Sequence, residues 1–439
     1  MTISSQSLQS ALEPLVGNWV RAAQDVDIVA GIRPQVVVEP ANESEIAAVL
    51  AFADKECLRV LVRGGGTQLD MGLPPTGGDI LLSTARLNQI VEHIPQDLVV
   101  TVEAGLPLTT LQTALAKTSQ WLALDPDLAP NATIGGLIAT NATGPRRLRY
   151  GGVRDQIIGV RVVLADGTIA KGGGKVVKNV AGYDLPKLFT GALGTLGVIV
   201  SATFRLYPLP VASRTVHITA LSVTPLCELA VHIIGSTLVP TIIDISGTTM
   251  HANTYTNTYT MAMRFEMGQE AITAQANTLL AMVADIQGNV VQAAQTLEGN
   301  AEEQFWTQTK HTTTIKNASP NMLTLKASLL PTEIAHWLTD MEQVCQQQQV
   351  QATWQVHAGH GLISVQLVGE DAALVASVNK LRQKAIQQKG SVVVTEAPFH
   401  LAQQLDIWGT VPALAVMRNL KARFDPHNTL NPGRFVGGL

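Results

Sequence analysis

The stretch Leu58 to Gly72, LRVLVRGGGTQLDMG, constrains this chain more than any other. Val60, Leu61 and Val62 form a short aliphatic run that predicts a buried strand. The run leads straight into Arg63 and three consecutive glycines, Gly64, Gly65 and Gly66. Residues without a Cβ can aim successive N–H groups into one concavity, a nest suited to a phosphate or pyrophosphate. Thr67 and Gln68 add side-chain donors, and Arg63 adds a positive charge at the rim. No Lys-Ser/Thr pair follows the glycines, so this is not a Walker loop. Leu69 stands where a G-x-G-x-x-G pattern starting at Gly64 needs its last glycine. Leu73-Pro74-Pro75 then bars a long helix from opening at the loop. Two readings follow: a phosphate held by loop amides, or a tight strand-to-strand turn.

A chain of 439 residues predicts two or three domains. With 46% apolar and 15% charged residues it can build a large interior, which argues against disorder. A net charge of −4 gives no reason to expect nucleic acid. The N-terminal MTISSQSLQSALEPLVG has neither a basic start nor an apolar core, so it does not read as a secretory signal. The longest weakly polar run, 191–204, fits a strand better than a membrane span. The expectation is a cytoplasmic protein without an integral membrane segment. Cys57, Cys227 and Cys345 are too few and too scattered for an ordinary iron–sulfur cluster or a disulfide framework. They read as buried small hydrophobes.

In chain order, Gln35 to Glu39 predicts a strand, and Asn42 with Glu45 predicts a capped helix through Lys55. Strands follow at 80–83 and 98–103, then a helix opening at Pro107. A second glycine-bearing stretch, PNATIGGLIATNATG from Pro130 to Gly144, is built almost wholly of small residues. It suits a flat ligand or a closely packed helix pair equally. A hairpin turns at Asp166-Gly167, a short helix covers about 184–190, and GALGTLG turns into a strand at 198–206. Pro208-Leu209-Pro210 marks a boundary. Beyond it the texture changes. Helices are predicted at 269–286, 332–345 and 372–389, and strands near 240–246, 322–329 and 362–368. HANTYTNTYT carries two copies of NTYT, too few for a repeat architecture. The tail reads as a helix stopped by Asp425-Pro426, then a fixed turn at Asn431-Pro432-Gly433-Arg434.

Both glycine stretches, GALGTLGVIVSATFRLYP and the terminal DPHNTLNPGRF together resemble the flavoproteins of the vanillyl-alcohol-oxidase type, which share the p-cresol-methylhydroxylase (PCMH) FAD domain. Within that family the tail, with Asp406-Ile407-Trp408-Gly409 and Asn-Pro-Gly-Arg, is similar to the FAD-binding accessory (E) subunits of bacterial glycolate oxidases. The resemblance implies an α+β protein: a PCMH-type FAD-binding domain of two α/β subdomains over 34–210 and an α+β cap over 211–395. A helical segment at 1–33 would precede it, and a segment at 396–439 would return to the FAD domain. It implies FAD, with the pyrophosphate on Arg63, Gly64, Gly65, Gly66, Thr67 and Gln68. The ring and ribityl portions would run along Thr133, Gly135, Gly136, Thr140 and Gly144. Gly197, Val198 and Ile199 would line one side, and Asn431 and Arg434 would approach from the tail. Relatives that bond FAD covalently often use a His in the first glycine loop. None occurs between Arg63 and Gly72, so the flavin is expected to be non-covalent.

The chain departs from its catalytic relatives at one motif. They carry H-x-G-D-G-N-x-H and a later E-H-G, which together hold a divalent metal. Here the segments read His357-Ala358-Gly359-His360-Gly361-Leu362-Ile363-Ser364 and Glu396-Ala397-Pro398. Too few ligands remain for a hard divalent ion, no metal site is expected, and no catalytic base is assigned. His357 and His360 are expected off a common face, as polar loop residues, and Arg382 and Lys384 on a solvent-facing helix. The resemblance implies a glycolate or related 2-hydroxy-acid substrate, a sister flavoprotein and an iron–sulfur subunit to take the electrons. The alternatives are a stand-alone 2-hydroxy-acid dehydrogenase and a non-catalytic flavin-stabilised scaffold.

Overall fold

The computed structural model describes residues 4–176, 182–249, 258–286, 290–313 and 321–439. Most of HANTYTNTYT and part of the 175–182 stretch lie outside these residues.

The aliphatic runs Val36–Val38, Ile80–Ser83 and Val60–Arg63 are the three parallel strands of a four-stranded sheet, with Val20–Ala22 antiparallel at its edge. The crossover is the helix Glu43–Lys55. Asn42 Oδ1 accepts from the Glu45 N–H at 2.9 Å, and the Glu45 carboxylate accepts from the Ala41 N–H at 2.7 Å. The reciprocal bond thus lands one residue ahead of the usual capping box. Ile46, Val49, Leu50 and Ala53 face inward at helical spacing.

A five-stranded antiparallel sheet follows, in the order Ile90–Ile94, Val99–Glu103, Val198–Arg205, Ile157–Val163, Ile169–Gly173. The central Val198–Arg205 strand is covered on both faces, so even its polar Ser201 and Thr203 are buried. Ile199, Ala202 and Phe204 meet the helices Leu108–Ala116 and Ile134–Thr140, while Val198 and Val200 join the core of the first sheet.

The region beyond 211 forms one eight-stranded antiparallel sheet, ordered Val291–Leu297, Ala212–Ala220, Tyr259–Met267, Ile242–Thr249, Gln351–His357, Leu362–Val368, Met322–Ser328, Ser391–Glu396. Helices Thr224–Ile234, Gln269–Ala284, Ile334–Gln348 and Asp371–Gln387 pack on one face. Leu323, Leu325 and Ala327 point into that core, so Thr324 and Lys326 project from the other face.

The 425–434 segment comes back to the first sheet. Leu430 forms a parallel bridge with Val60, whose N–H donates to Thr429 O at 2.7 Å. Lys421 is buried in the preceding helix, Leu414–Phe424, and donates to Asp425 at 2.5 Å and to Thr195 O at 2.8 Å. Two expectations are corrected here. Cys57 is exposed in a left-handed turn, whereas Cys227 and Cys345 are buried, their thiols pushed up to about 12 by burial. Arg382 is not solvent-facing: its guanidinium donates to Val392 O and Asp406 O, and burial lowers its pKa.

Candidate functional site

The two glycine stretches meet. Gly65 N–H donates to Thr133 Oγ1 at 3.3 Å, Asn131 Nδ2 donates to Gly65 O at 2.6 Å, and Thr140 Oγ1 donates to Gln68 Oε1 at 2.6 Å. A Cβ on Gly64 would lie 2.3 Å from Thr133 Oγ1, and one on Gly65 only 1.8 Å from Asn131 O. The glycines are therefore demanded first by the chain that crosses them. Thr133 caps the helix Ile134–Thr140, and Gly135 lets its first turn rest on Ala104, where a Cβ would lie at 2.9 Å.

Between these walls lies a cleft lined mostly by small residues and loop backbone. Gly64, Gly65, Gly66, Thr67, Gln68, Thr133, Gly135, Gly136, Thr140, Gly197, Val198, Ile199, Asn431 and Arg434 all line it. Val62, Leu69, Thr84, Ala104, Ala139, Leu193 and Gly194 line it too, and sequence reasoning missed them. Three of them carried a signal: Ala139 in the small-residue stretch, Gly194 in the GALGTLG turn, and Ala104, a small residue at a strand end.

Two expected residues sit elsewhere. Arg63 is not a free charge at the rim. Its guanidinium donates to Asp27 Oδ1 at 2.9 Å, beside Arg21 at 2.6 Å from Oδ2 of the same buried carboxylate. Gly144 is absent from the lining. A Cβ there would meet Asp125 O at 2.0 Å, so its bareness serves a chain crossing.

The tail closes the cleft. Asn431 Oδ1 accepts from Val62 N–H at 3.1 Å, and its Nδ2 donates to Leu193 O at 2.8 Å. Arg434 donates to Leu69 O and, at 2.8 Å, to Met71 O. Burial pushes its pKa down to about 10, and its Nε has no partner among the described residues. Small residues, accessible loop backbone and a buried guanidinium make a cradle that suits a phosphate-bearing cofactor.

A second feature lies where the open face of the large sheet meets the glycine-bearing domain. His357 ends its strand, and Ala358–His360 makes one 3-10 turn, in which positions three apart eclipse. The expected separation of the two histidines is therefore wrong: their ring centroids are 5.5 Å apart. His357 Nδ1 bonds Asp244 Oδ1 at 2.8 Å, and Gln355 Nε2 donates to Asp244 Oδ2 at 2.8 Å. Burial alone would lower the His357 pKa, but Asp244 outweighs it and raises it. His360 is pushed down to about 3, first by burial and then by His357, Arg147 and Lys326. Among the described residues, no group of three or more His, Cys, Asp or Glu side chains could hold a metal ion. The donor set at this motif does not fit a hard divalent ion: it offers two imidazoles, one already bonded to Asp244, with the cationic Arg147 and Lys326 beside them.

Residues 34–173 match the FAD binding domain family, and residues 243–435 match the C-terminal domain of FAD linked oxidases. The chain thus carries a PCMH-type FAD-binding domain and an FAD-linked-oxidase C-terminal domain, and its cofactor is FAD. It is 29% identical to glycolate oxidase subunit GlcD of Bacillus subtilis, a match covering 91% of this chain and 88% of that one. It is 27% identical to D-2-hydroxyglutarate dehydrogenase of Xanthomonas citri, over 91% and 89%. Glycolate oxidase subunit GlcE of Escherichia coli is 36% identical, over 42% of this chain and 49% of its own. The fold also resembles alkyldihydroxyacetonephosphate synthase, with a TM-score of 0.70 at 15% identity over 91% of this chain and 76% of that one. No described helix is long and apolar enough to cross a membrane.

Proposed function

We propose that this chain is the flavoprotein subunit of a glycolate-oxidase-type complex. In that complex glycolate or a related 2-hydroxy acid would go to the 2-oxo acid only with a sister flavoprotein present, and the electrons would leave through an iron–sulfur subunit. The observation that carries this reading is the cleft itself, whose walls bring the two glycine stretches, the 193–199 turn and the tail together.

In this reading the 34–210 domain and the 396–439 segment hold the cofactor, and 211–395 caps it. The amides of Gly64 to Gln68 receive the pyrophosphate. Thr133, Gly135, Gly136 and Thr140 leave room for the ribityl chain and ring, with Gly197, Val198 and Ile199 opposite. Asn431 and Arg434 fix the loop that bears the amides. Among the described residues no His, Cys or Tyr lines the cleft, which supports non-covalent binding. Bound FAD supplies the hydride acceptor, and the protein supplies position and charge. The Asp244–His357 pair, its Nδ1 spent on the carboxylate, can hold a proton at Nε2. That pair favours a second reading, a 2-hydroxy-acid dehydrogenase that turns over alone.

Anaerobic mixing of the FAD-loaded chain with glycolate, D-lactate and L-lactate, followed by flavin absorbance, separates the two. Bleaching that waits for a sister flavoprotein supports the subunit reading. Rapid bleaching of the chain alone supports the second. No bleaching in either case sinks both.

A further inference from the structure

The junction below the large sheet holds two cations with no counter-charge of their own. Lys326 projects from the open face of its strand, directly across from Ser364, which in turn stands across from Gln355. The three residues form a row over three adjacent strands on one face. Arg147 reaches this region from the FAD domain. Its helix, Arg147–Tyr150, is seated by Leu148 on Gly359, where a Cβ would lie 2.6 Å from either Leu148 methyl. The carboxylates nearby are committed: Asp244 to His357 and Gln355, and Asp125 to the backbone and side chain of Arg146. Neither Lys326 nor Arg147 makes a side-chain hydrogen bond or ion pair among the described residues. Charges withdrawn from water are normally paired. Burial, and then Arg147, lowers the Lys326 pKa, which agrees with a missing anion.

We propose that Lys326 and Arg147 form a metal-independent recess that binds the carboxylate of a small 2-hydroxy or 2-oxo acid. This rests on the function proposed above, and it deepens that reading by placing a protein-borne cation pair where the metal motif is broken. The ammonium gives a compact charge and the guanidinium a planar fork, a combination suited to a carboxylate. The hydroxyl or oxo group on the next carbon would then fall near the His357–His360 pair. A divalent cation would be repelled by the same two side chains.

The probe is oxalate, a two-carbon dianion that cannot be oxidised as a hydroxy acid. It is titrated into the FAD-loaded, EDTA-treated full chain and followed by calorimetry and by flavin absorbance. Oxalate is expected to bind, and added magnesium or manganese should leave its affinity unchanged. Lys326→Gln should weaken it about tenfold or more, the loss of one charge-assisted contact. Arg147→Gln carries the same expectation if the lysine variant is poorly folded, with FAD content and Tm as folding controls. Lys326→Arg, which keeps the charge, should recover part of the affinity. The proposal is overturned if oxalate does not bind, if binding needs the metal, or if both Gln variants bind like wild type. Oxalate binding that depends on Lys326 without glycolate bleaching would leave the recess standing and remove the oxidation reading. Glycolate bleaching at an unchanged rate and affinity in both Gln variants would do the reverse.

Discussion

At the scale of single residues, the glycine loop is more tightly determined by its neighbours than by its ligand. Gly65 abuts Asn131 O so closely that any side chain must displace the 131–133 segment. Gly65→Val is therefore expected to yield a protein with little or no FAD and a lower Tm, measured by flavin content and thermal unfolding. Stoichiometric FAD in that variant would move the cofactor elsewhere. Asp27 offers a second test. Hydrogen bonds from Arg21, with help from Gln24 N–H and Arg63, hold its carboxyl well below the usual range despite burial. A folded pKa below the unfolded one contributes stability that is present above pH ~4 and lost as pH falls through it. Wild type should therefore lose more Tm than Asp27→Asn between about pH 6 and about pH 3. Parallel curves would show that Asp27 carries no such linkage. Arg63 shows why sequence alone misplaced a charge. Its partner lies 36 positions upstream in an irregular segment, and no periodicity announces such a pair.

Among the elements, period and punctuation made much of the FAD domain legible. Ile80–Ser83 and the capped 43–55 helix fell where their apolar spacing and cap placed them. The large sheet was less readable. Ala212–Ala220 and Gln351–His357 alternate, but their outward residues are Thr, Gln and His above small or apolar partners, a weak contrast. His357 and His360 were misjudged because a single 3-10 turn cannot be told from a loop by pattern. The tail turn was legible, whereas its partners were not. Asn431 satisfies Val62 N–H and Leu193 O at once. Asn431→Ala would strand both buried groups at about 1–3 kcal/mol each. Urea unfolding should show that loss together with weaker FAD retention, and an unchanged midpoint would refute the clamp.

For the whole molecule, the decisive contact is the ion pair across the two halves. Arg146 Nη2 meets Glu266 Oε1 at 2.6 Å, and its Nε donates to the other oxygen at 3.1 Å. Burial would depress the Arg146 pKa, but Glu266 and Asp125 outweigh it. Removing one member of such a pair leaves the other charge buried, a loss of about 3–5 kcal/mol. Arg146→Met should make the cap more susceptible to limited proteolysis and separate its unfolding from that of the FAD domain. A single transition with unaltered cleavage would show that the halves are held by other contacts.

The bond from Val62 to Asn431 joins residues 369 positions apart. During synthesis the glycine loop and its strand emerge early, and the chain that locks them is made only after the entire cap. Until then the cleft lacks a wall, so the nascent protein has little to grip a flavin with. Cofactor capture is thus expected to come late in biogenesis, and a chain truncated before Asp425 should retain less FAD than the full one when flavin content is compared.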